Sequence, residues 1–316
     1  MPVFIIFKSS LLFLLKNKSS PTKKNMVVSP YILGDIMATS ILFYSIFKVL
    51  LAVQFICGLF TFVLLFFVNA PYGKHVSKSW GVLIGPKKGW VLMEFPAFAV
   101  ILFFFLYGLF TNKLTQDGRA FSVMVCFILI WEFHYIQRTF IYPFLLSKKS
   151  KPMALLIPVM GMIFNSINGF INGYYLFSGR TIFFENTIFE QDLSKLYSAS
   201  WLYDPRFICG VALFVMGMII NIHSDHVLRT LRSASDTKYS VPMRGVHRLV
   251  ANPNYLGEFT EWLAFALLTW SIPALAFAFF TFCNLAPRAY SNLKWYRSTF
   301  GEEYPKSRRA IIPFIF

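Results

Sequence analysis

Acidic side chains are scarce in this chain, 14 Asp and Glu against 30 Lys and Arg in 316 residues, and charge of either sign makes up only 14% of it. A soluble domain carries about a quarter charged residues, so a water-facing surface over the whole molecule is excluded. Cysteine is sparse too. Cys57, Cys126, Cys209 and Cys283 all lie inside apolar runs, with neither disulfide-framework nor metal-ligand spacing. They read as small core residues. His223 and His226 miss the i, i+4 spacing of helical metal ligands, and no metal is expected.

What the chain has is apolar surface: 56% hydrophobic and 19% aromatic residues. Uncharged runs extend from Val49 to Gly73, Phe95 to Asn112, Pro152 to Gly179, Phe207 to Ile222 and Trp262 to Pro287. A membrane-crossing helix needs about 20 mostly apolar residues. The pattern predicts an all-α, multi-pass integral membrane protein with about seven transmembrane helices enclosing a ligand cavity. The spans fall near Ile41–Val68, Val91–Phe110, Ala120–Leu146, Met153–Phe177, Phe207–Leu228, Tyr255–Ser271 and Ile272–Tyr290. The last two share one apolar run broken by Pro273, which predicts a tight hairpin rather than one tilted helix.

Lys and Arg in the loops set orientation. Lys74, Lys78, Lys87 and Lys88 follow span one, and Lys148, Lys149 and Lys151 follow span three. Arg229, Arg232, Lys238, Arg244 and Arg248 follow span five, and the tail carries Arg288, Lys294, Arg297, Lys306, Arg308 and Arg309. Seven spans put all of these on one side, the cytosol, together with the C-terminus. The acidic Glu185, Glu190, Asp192 and Asp204 then lie opposite. Residues 1–40 form an extension that does not fit this scheme, because Lys16, Lys18, Lys23 and Lys24 would sit on the wrong side. Phe4–Leu15 reads equally as a signal-like segment, an interfacial helix, an extra span or sequence upstream of the true start, with Met26 and Met37 as alternative starts. The net charge of +16 is explained by basic residues flanking apolar spans and by anionic headgroups, not by nucleic acid.

Polar residues within or beside the spans are costly unless paired or functional, and they crowd residues 221–316. Asn221 and Asp225 share a helix face, with Arg229 and Arg232 further along it. A carboxylate, a carboxamide and two guanidiniums at a membrane exit suit a nucleotide, hydroxyls to Asp and Asn and phosphates to Arg; a salt-bridged helix end is the alternative. In Asn252-Pro-Asn-Tyr-Leu-Gly-Glu258, Asn254 can cap the following helix, but capping does not account for Glu258 and Glu261. Glu94 stands alone among Leu92, Phe95 and Pro96, a setting that favours a neutral acid able to donate a hydrogen bond; an interfacial glutamate paired with a lysine is the alternative. Glu132, His134, Tyr135 and Arg138 share span three and suggest a cavity wall. Gly169 and Gly173, with Asn165, Asn168 and Asn172, read as close helix packing with interhelical hydrogen bonds and no chemistry.

The segments Asn221-Ile-His-Ser-Asp225, Asn254-Tyr-Leu-Gly-Glu258, Glu261-Trp262, Ala274-Leu-Ala-Phe-Ala-Phe279 and Tyr304-Pro-Lys-Ser-Arg-Arg-Ala-Ile-Ile-Pro-Phe-Ile-Phe316 strongly resemble the steroid 5α-reductase (3-oxo-5α-steroid 4-dehydrogenase) family. Asn284-Leu-Ala-Pro-Arg288 and Lys294-Trp-Tyr296 look more like its plant brassinosteroid-pathway members. The resemblance implies residues 41–316 as a seven-helix reductase domain, most family-like over 221–316, in the endoplasmic reticulum membrane of a eukaryote or the inner membrane of a bacterium. It implies NADPH bound from the cytosol at Asn221, Asp225, Arg229, Arg232, Tyr239, Asn254, Arg288 and Tyr296. Glu94 and Tyr135 would hold the 3-keto oxygen of a 3-oxo-Δ4 steroid and act in catalysis, with Glu258 and Trp262 also at the substrate. Departures at Met93, Asn292, Ser240 and Met243–Arg244 bear on which steroid is used, not on the reaction. The expected partners are a lipophilic steroid and the bilayer, and the expected state is a monomer. Three other readings are a related membrane sterol or enoyl-lipid reductase, an isoprenylcysteine-type methyltransferase, and a transporter or receptor. A methyltransferase would not need Arg229, Arg232 and Arg288 together, and a transporter would line a path across the membrane rather than one face.

Overall fold

In the computed structural model, residues 30–68, 81–147, 150–178, 197–234 and 239–316 are described. The chain divides into two units, Met1–Phe43 and Tyr44–Phe316. Of the first, residues 30–43 are helical; the expectations for Phe4–Leu15 and its lysines lie outside the described residues. The second unit holds the rest of the helix α1 (Pro30–Phe67) and the elements that follow.

These are α2 (Pro86–Phe110), α3 (Phe121–Ile136), a π-helical turn Gln137–Ile141, α4 (Tyr142–Leu145), α5 (Leu156–Phe177), α6 (Pro205–Ala234), α7 (Pro253–Thr269) and α8 (Ile272–Phe300). A two-stranded antiparallel ladder, β1 (Leu83–Ile84) with β2 (Met153–Ala154), ties the starts of α2 and α5 together. All seven expected apolar segments are helical. Among the described residues, four helical stretches are long and apolar enough to cross a membrane: Ile41–Phe67, Pro86–Phe110, Pro205–Leu231 and Ile272–Glu303. The other three fall short for visible reasons. α3 has 16 residues and α7 has 17, below the span of a bilayer core, and α5 carries three asparagines.

The break between the last two helices is the expected hairpin. Trp270 closes α7 in the left-handed conformation at φ 46°. Ser271 then caps α8 by accepting from the Ala274 amide, with Pro273 at a position where a missing N–H costs nothing. The carbonyls left over at the end of α7 have donors: Tyr197 Oη–H to Thr269 O at 2.6 Å and Trp201 Nε1–H to Leu268 O at 2.9 Å.

Small residues set how close the helices come. A Cβ on Gly257 would lie 2.6 Å from both Asn221 N and Gly217 O, so α6 and α7 touch backbone to backbone. Gly173 packs against Phe104 and Gly169 against Val100, so the close packing expected of the glycine spacing brings α5 onto α2. Gln54 on α1 donates to Asn168 Oδ1 at 3.1 Å. The cysteines correct one expectation: Cys283 is buried, but Cys57 and Cys209 are exposed on the apolar outer faces of α1 and α6. A small, weakly polar thiol is tolerated on an apolar outward face as readily as in a core.

The chain's end is woven back into this frame. Val250 and Arg309 form a parallel bridge. The Asn252 side chain donates to Ala289 O at 3.1 Å and Ala310 O at 3.2 Å, and accepts from Asn292 at 2.7 Å. One amide therefore joins the start of α7, the middle of α8 and the C-terminal segment. Ala251, Leu285, Ala289, Leu293, Tyr304, Ala310 and Ile311 form the core around it.

The backbone contact of α6 and α7 leaves no room for a methyl group. Gly257→Ala should therefore force the helices apart and cost about 1–3 kcal/mol, read as a lowered melting temperature in detergent. Gly85→Ala, where φ is −61° and nothing lies within 4 Å of the added Cβ, should melt like the wild type.

Candidate functional site

The polar groups of α2, α3, α6 and α7 converge on Arg138. Its position follows from a local backbone feature. Pro143 has no N–H to offer Thr139 and its ring crowds that carbonyl, and the helix widens into the π turn Gln137–Ile141 just before it. Arg138 lies in that turn, 7% exposed, its guanidinium over the rings of Trp90 (4.9 Å) and Tyr142 (4.7 Å). Nη1 donates to Asp225 Oδ2 at 3.2 Å, and Nη2 lies 3.6 Å from Glu258 Oε2. One cation thus bridges carboxylates from α6 and α7. Asn254 Nδ2 donates to the other oxygen of Asp225 at 3.3 Å. This corrects the cap expectation: Asn252 occupies the N-cap of α7 without a side-chain cap bond, and the Asn254 amide is spent on Asp225.

A second carboxylate centre lies one turn deeper. Glu261 is fully buried, with Oε2 2.6 Å from His134 Nδ1 and Oε1 accepting from Asn221 Nδ2 at 3.2 Å. Asn221 Oδ1 is buried with no hydrogen-bond partner among the described residues. Asn221 and Asp225, four apart on α6, therefore face α7 together, as their spacing predicted. Arg229 lies one further turn along and its charge acts on Asp225. The Arg232 side chain lies outside the described residues.

Tyr135 and Trp262 form the apolar wall. Trp262 is 1% exposed, and its ring lies 5.5 Å from Tyr135, 5.1 Å from Trp131 and 4.6 Å from His134. Tyr135 lies within electrostatic range of Glu94, Glu258 and Arg138. Glu94, on α2 beside the ladder break at Pro96, accepts from Asn165 Nδ2 at 3.2 Å; the same amide donates to Met93 O at 2.7 Å. Its described partner is thus an amide, not a lysine.

Arg288 and Tyr296 lie on the C-terminal half of α8, and Tyr239, before the Gly245–Arg248 turn, packs against that half. Tyr239 meets Trp295 edge-on at 5.0 Å, and Tyr296 stacks on Tyr304 at 5.2 Å. Arg288 precedes Ala289, whose carbonyl anchors Asn252. Residues 252–254 therefore link this group to Asp225. Asn165 makes the interhelical bond expected of it, though to Glu94 as well as to backbone, while the roles of Glu261 and Asn252 were not expected. Asn165 was visible as a polar residue in an apolar helix, but nothing local named its partner.

The arrangement offers an amide oxygen and a carboxylate that can accept from hydroxyls or amides, with Arg229 one turn further along α6 able to meet an anion. Among the described residues Asn221 Oδ1 has no donor, so it can accept one from a bound molecule.

His247, fully buried in the 3₁₀ turn Gly245–Arg248, backs the site, its Nε2 3.5 Å from Ser224 O. Burial, with the charges of Arg308 and His223, pushes it down to about 4 from 6.5. Between these values the unfolded chain takes up a proton that the folded chain refuses. Stability should therefore fall as pH is lowered through that window. The melting temperature of His247→Gln should drop less between pH 7 and pH 5 than that of the wild type.

A family model described as 3-oxo-5-alpha-steroid 4-dehydrogenase matches residues 151–316. The human 3-oxo-5-alpha-steroid 4-dehydrogenase 1 is 39% identical over 249 residues, 78% of this chain and 87% of that protein. The human 3-oxo-5-alpha-steroid 4-dehydrogenase 2 is 38% identical over 248 residues, again 78% and 87%. The steroid 5-alpha-reductase DET2 of Gossypium hirsutum is 34% identical over 277 residues, 86% of this chain and 98% of that protein.

Proposed function

Because this chain belongs to the 3-oxo-5-alpha-steroid 4-dehydrogenase family, we propose that it reduces the Δ4 double bond of a 3-oxo-Δ4 steroid to the 5α-steroid, using NADPH. The enzyme class follows from the family; the cofactor, the substrate's enone and the residue roles are our reading. The observation that supports it best is that Tyr135, packed on Trp262, lies within electrostatic range of Glu94 and Glu258 from two other helices, while Asn221 is tied to the same region through Glu261 and His134.

In this reading Asn221, Asp225 and Asn254 hold the nucleoside part of the cofactor, while Arg229, Arg232 and Arg288, with Tyr239 and Tyr296, hold its phosphates and adenine end. A nicotinamide held there would supply the hydride that C5 of the enone takes up. Negative charge then develops on the C3 oxygen. Tyr135 and a neutral Glu94 donate hydrogen bonds to that oxygen, an oxyanion-hole role, and C4 takes up a proton. The Asn165 bond to Glu94 Oε2 suits the carbonyl end of a neutral acid, which would present its hydroxyl on Oε1 to the steroid. Trp131, Trp262 and Phe265 exclude water from the reacting carbons. The outward apolar faces of the helices admit a lipophilic substrate from the bilayer. Seven crossings with a cytosolic C-terminus, in the endoplasmic reticulum if the source is eukaryotic, complete the reading.

Membranes containing the protein, incubated with NADPH and 3-oxo-Δ4 steroids, should yield 5α-reduced products two mass units heavier by mass spectrometry. NADH at equal concentration should give slower turnover; equal or faster turnover would rule out the NADPH preference.

Glu94→Ala should lower the rate by about 10²–10³, the usual loss for one oxyanion donor. Glu94→Gln, which keeps a donor, should retain more activity. Wild-type rates in the alanine variant would remove Glu94 from the reaction.

A further inference from the structure

Glu261 uses both carboxylate oxygens, one at His134 Nδ1 (2.6 Å) and one at Asn221 Nδ2 (3.2 Å). Helices α3, α6 and α7 thus meet at one carboxylate that is fully buried. A carboxylate only accepts hydrogen bonds, so it dictates what each partner presents. His134 must carry its proton on Nδ1. Asn221 must turn its amide nitrogen inward, and its oxygen is then forced the other way. That oxygen is the buried Oδ1 without a partner among the described residues. It lies on the helix face of Asp225, one turn further from the arginines at the exit of α6. A carbonyl oxygen cannot bind a phosphate. It takes a hydroxyl or an amide N–H, the donors that the nicotinamide riboside end of a dinucleotide offers.

We infer that Glu261 is a positioning residue: it locks the Asn221 amide so that Oδ1 faces a donor on the nicotinamide half of the cofactor. The inference rests on the NADPH reading above and adds a residue that does not touch the nucleotide. Gly217 and Gly257 make it possible. A Cβ on Gly217 would meet Glu261 Cγ and N at 2.9 Å, so bare backbone is what lets this carboxylate reach α6.

Glu261→Gln keeps the shape and removes the instruction. The glutamine oxygen takes the His134 N–H, and its NH₂ then opposes the Asn221 NH₂. Asn221 turns over to accept that NH₂, and its own donor end is left facing the nucleotide. Purified Glu261→Gln in detergent should bind NADPH about tenfold more weakly by fluorescence titration. It should bind 2′,5′-ADP, which lacks the nicotinamide half, as the wild type does. Asn221→Asp alone should also weaken NADPH, because two carboxylates then oppose each other. The double variant Glu261→Gln with Asn221→Asp should recover near wild-type affinity, since the carboxylate introduced on α6 can accept from the glutamine and still present an oxygen to the nucleotide. Unchanged NADPH affinity in Glu261→Gln would overturn the inference. So would parallel loss of NADPH and 2′,5′-ADP, which marks a collapsed site, or failure of the double variant to recover. A wild-type protein that binds neither nucleotide would overturn the cofactor reading and this inference with it.

Discussion

The guanidinium of Arg138 is a charge buried in an apolar helical bundle, and much of the site exists to accommodate it. Such a charge persists only where opposite charge and aromatic faces replace water. Here Asp225 and Glu258 supply the charge, and Trp90 and Tyr142 supply the faces. Each partner comes from a different element, so satisfying one cation constrains the relative positions of α2, α3, α6 and α7. Two backbone features make the arrangement reachable. Pro143 widens the end of α3 into a π turn, and Gly217 with Gly257 brings α6 and α7 into backbone contact.

Around that ion cluster the polar groups are layered. Arginines mark the exit of α6, Asp225 and Asn254 come next, and Asn221 with Glu261 and His134 lies deeper. Glu94 and Tyr135 line the side facing α2. In the NADPH reading proposed above, a donor-rich mouth leading to an acceptor and then an aromatic wall would take the phosphates near the helix exit and the reactive ring inward. The C-terminal segment serves the same site from behind, since Asn252 joins the first residues of α7 to Ala289 and Ala310. The family model matches residues 151–316, which include α6, α7, α8 and the C-terminal segment that hold one another in place around the site.

Much of this was legible in the sequence for simple reasons. Long uncharged runs can only be buried in lipid or protein, so the helices and the membrane class follow from composition. Proline at 273 within one apolar run implied the hairpin, and glycines at 169 and 173 implied that α5 lies against a neighbour. Asn221 and Asp225 at i, i+4 had to share a face. Where the reading missed, the missing fact was a partner distant in sequence. Asn254 looked like a cap because its local context permits one, yet its amide is drawn to Asp225. The exposed Cys57 and Cys209 looked like core because apolar runs do not distinguish a lipid-facing side from an inner one.

The sequence by itself determined the membrane class, the helices and their breaks, and the kinds of chemistry on offer, because these depend on local hydrophobicity, backbone constraints and residue type. The tertiary structure alone decided which polar group meets which. Arg138 bridging Asp225 and Glu258, Asn165 reaching Glu94, and Glu261 turning the Asn221 amide all join residues that lie far apart in the chain and on separate helices. No local pattern carries that information. It arises from the demand that every buried polar group find a complement at a distance of about 3 Å, which only the packed arrangement of helices can satisfy.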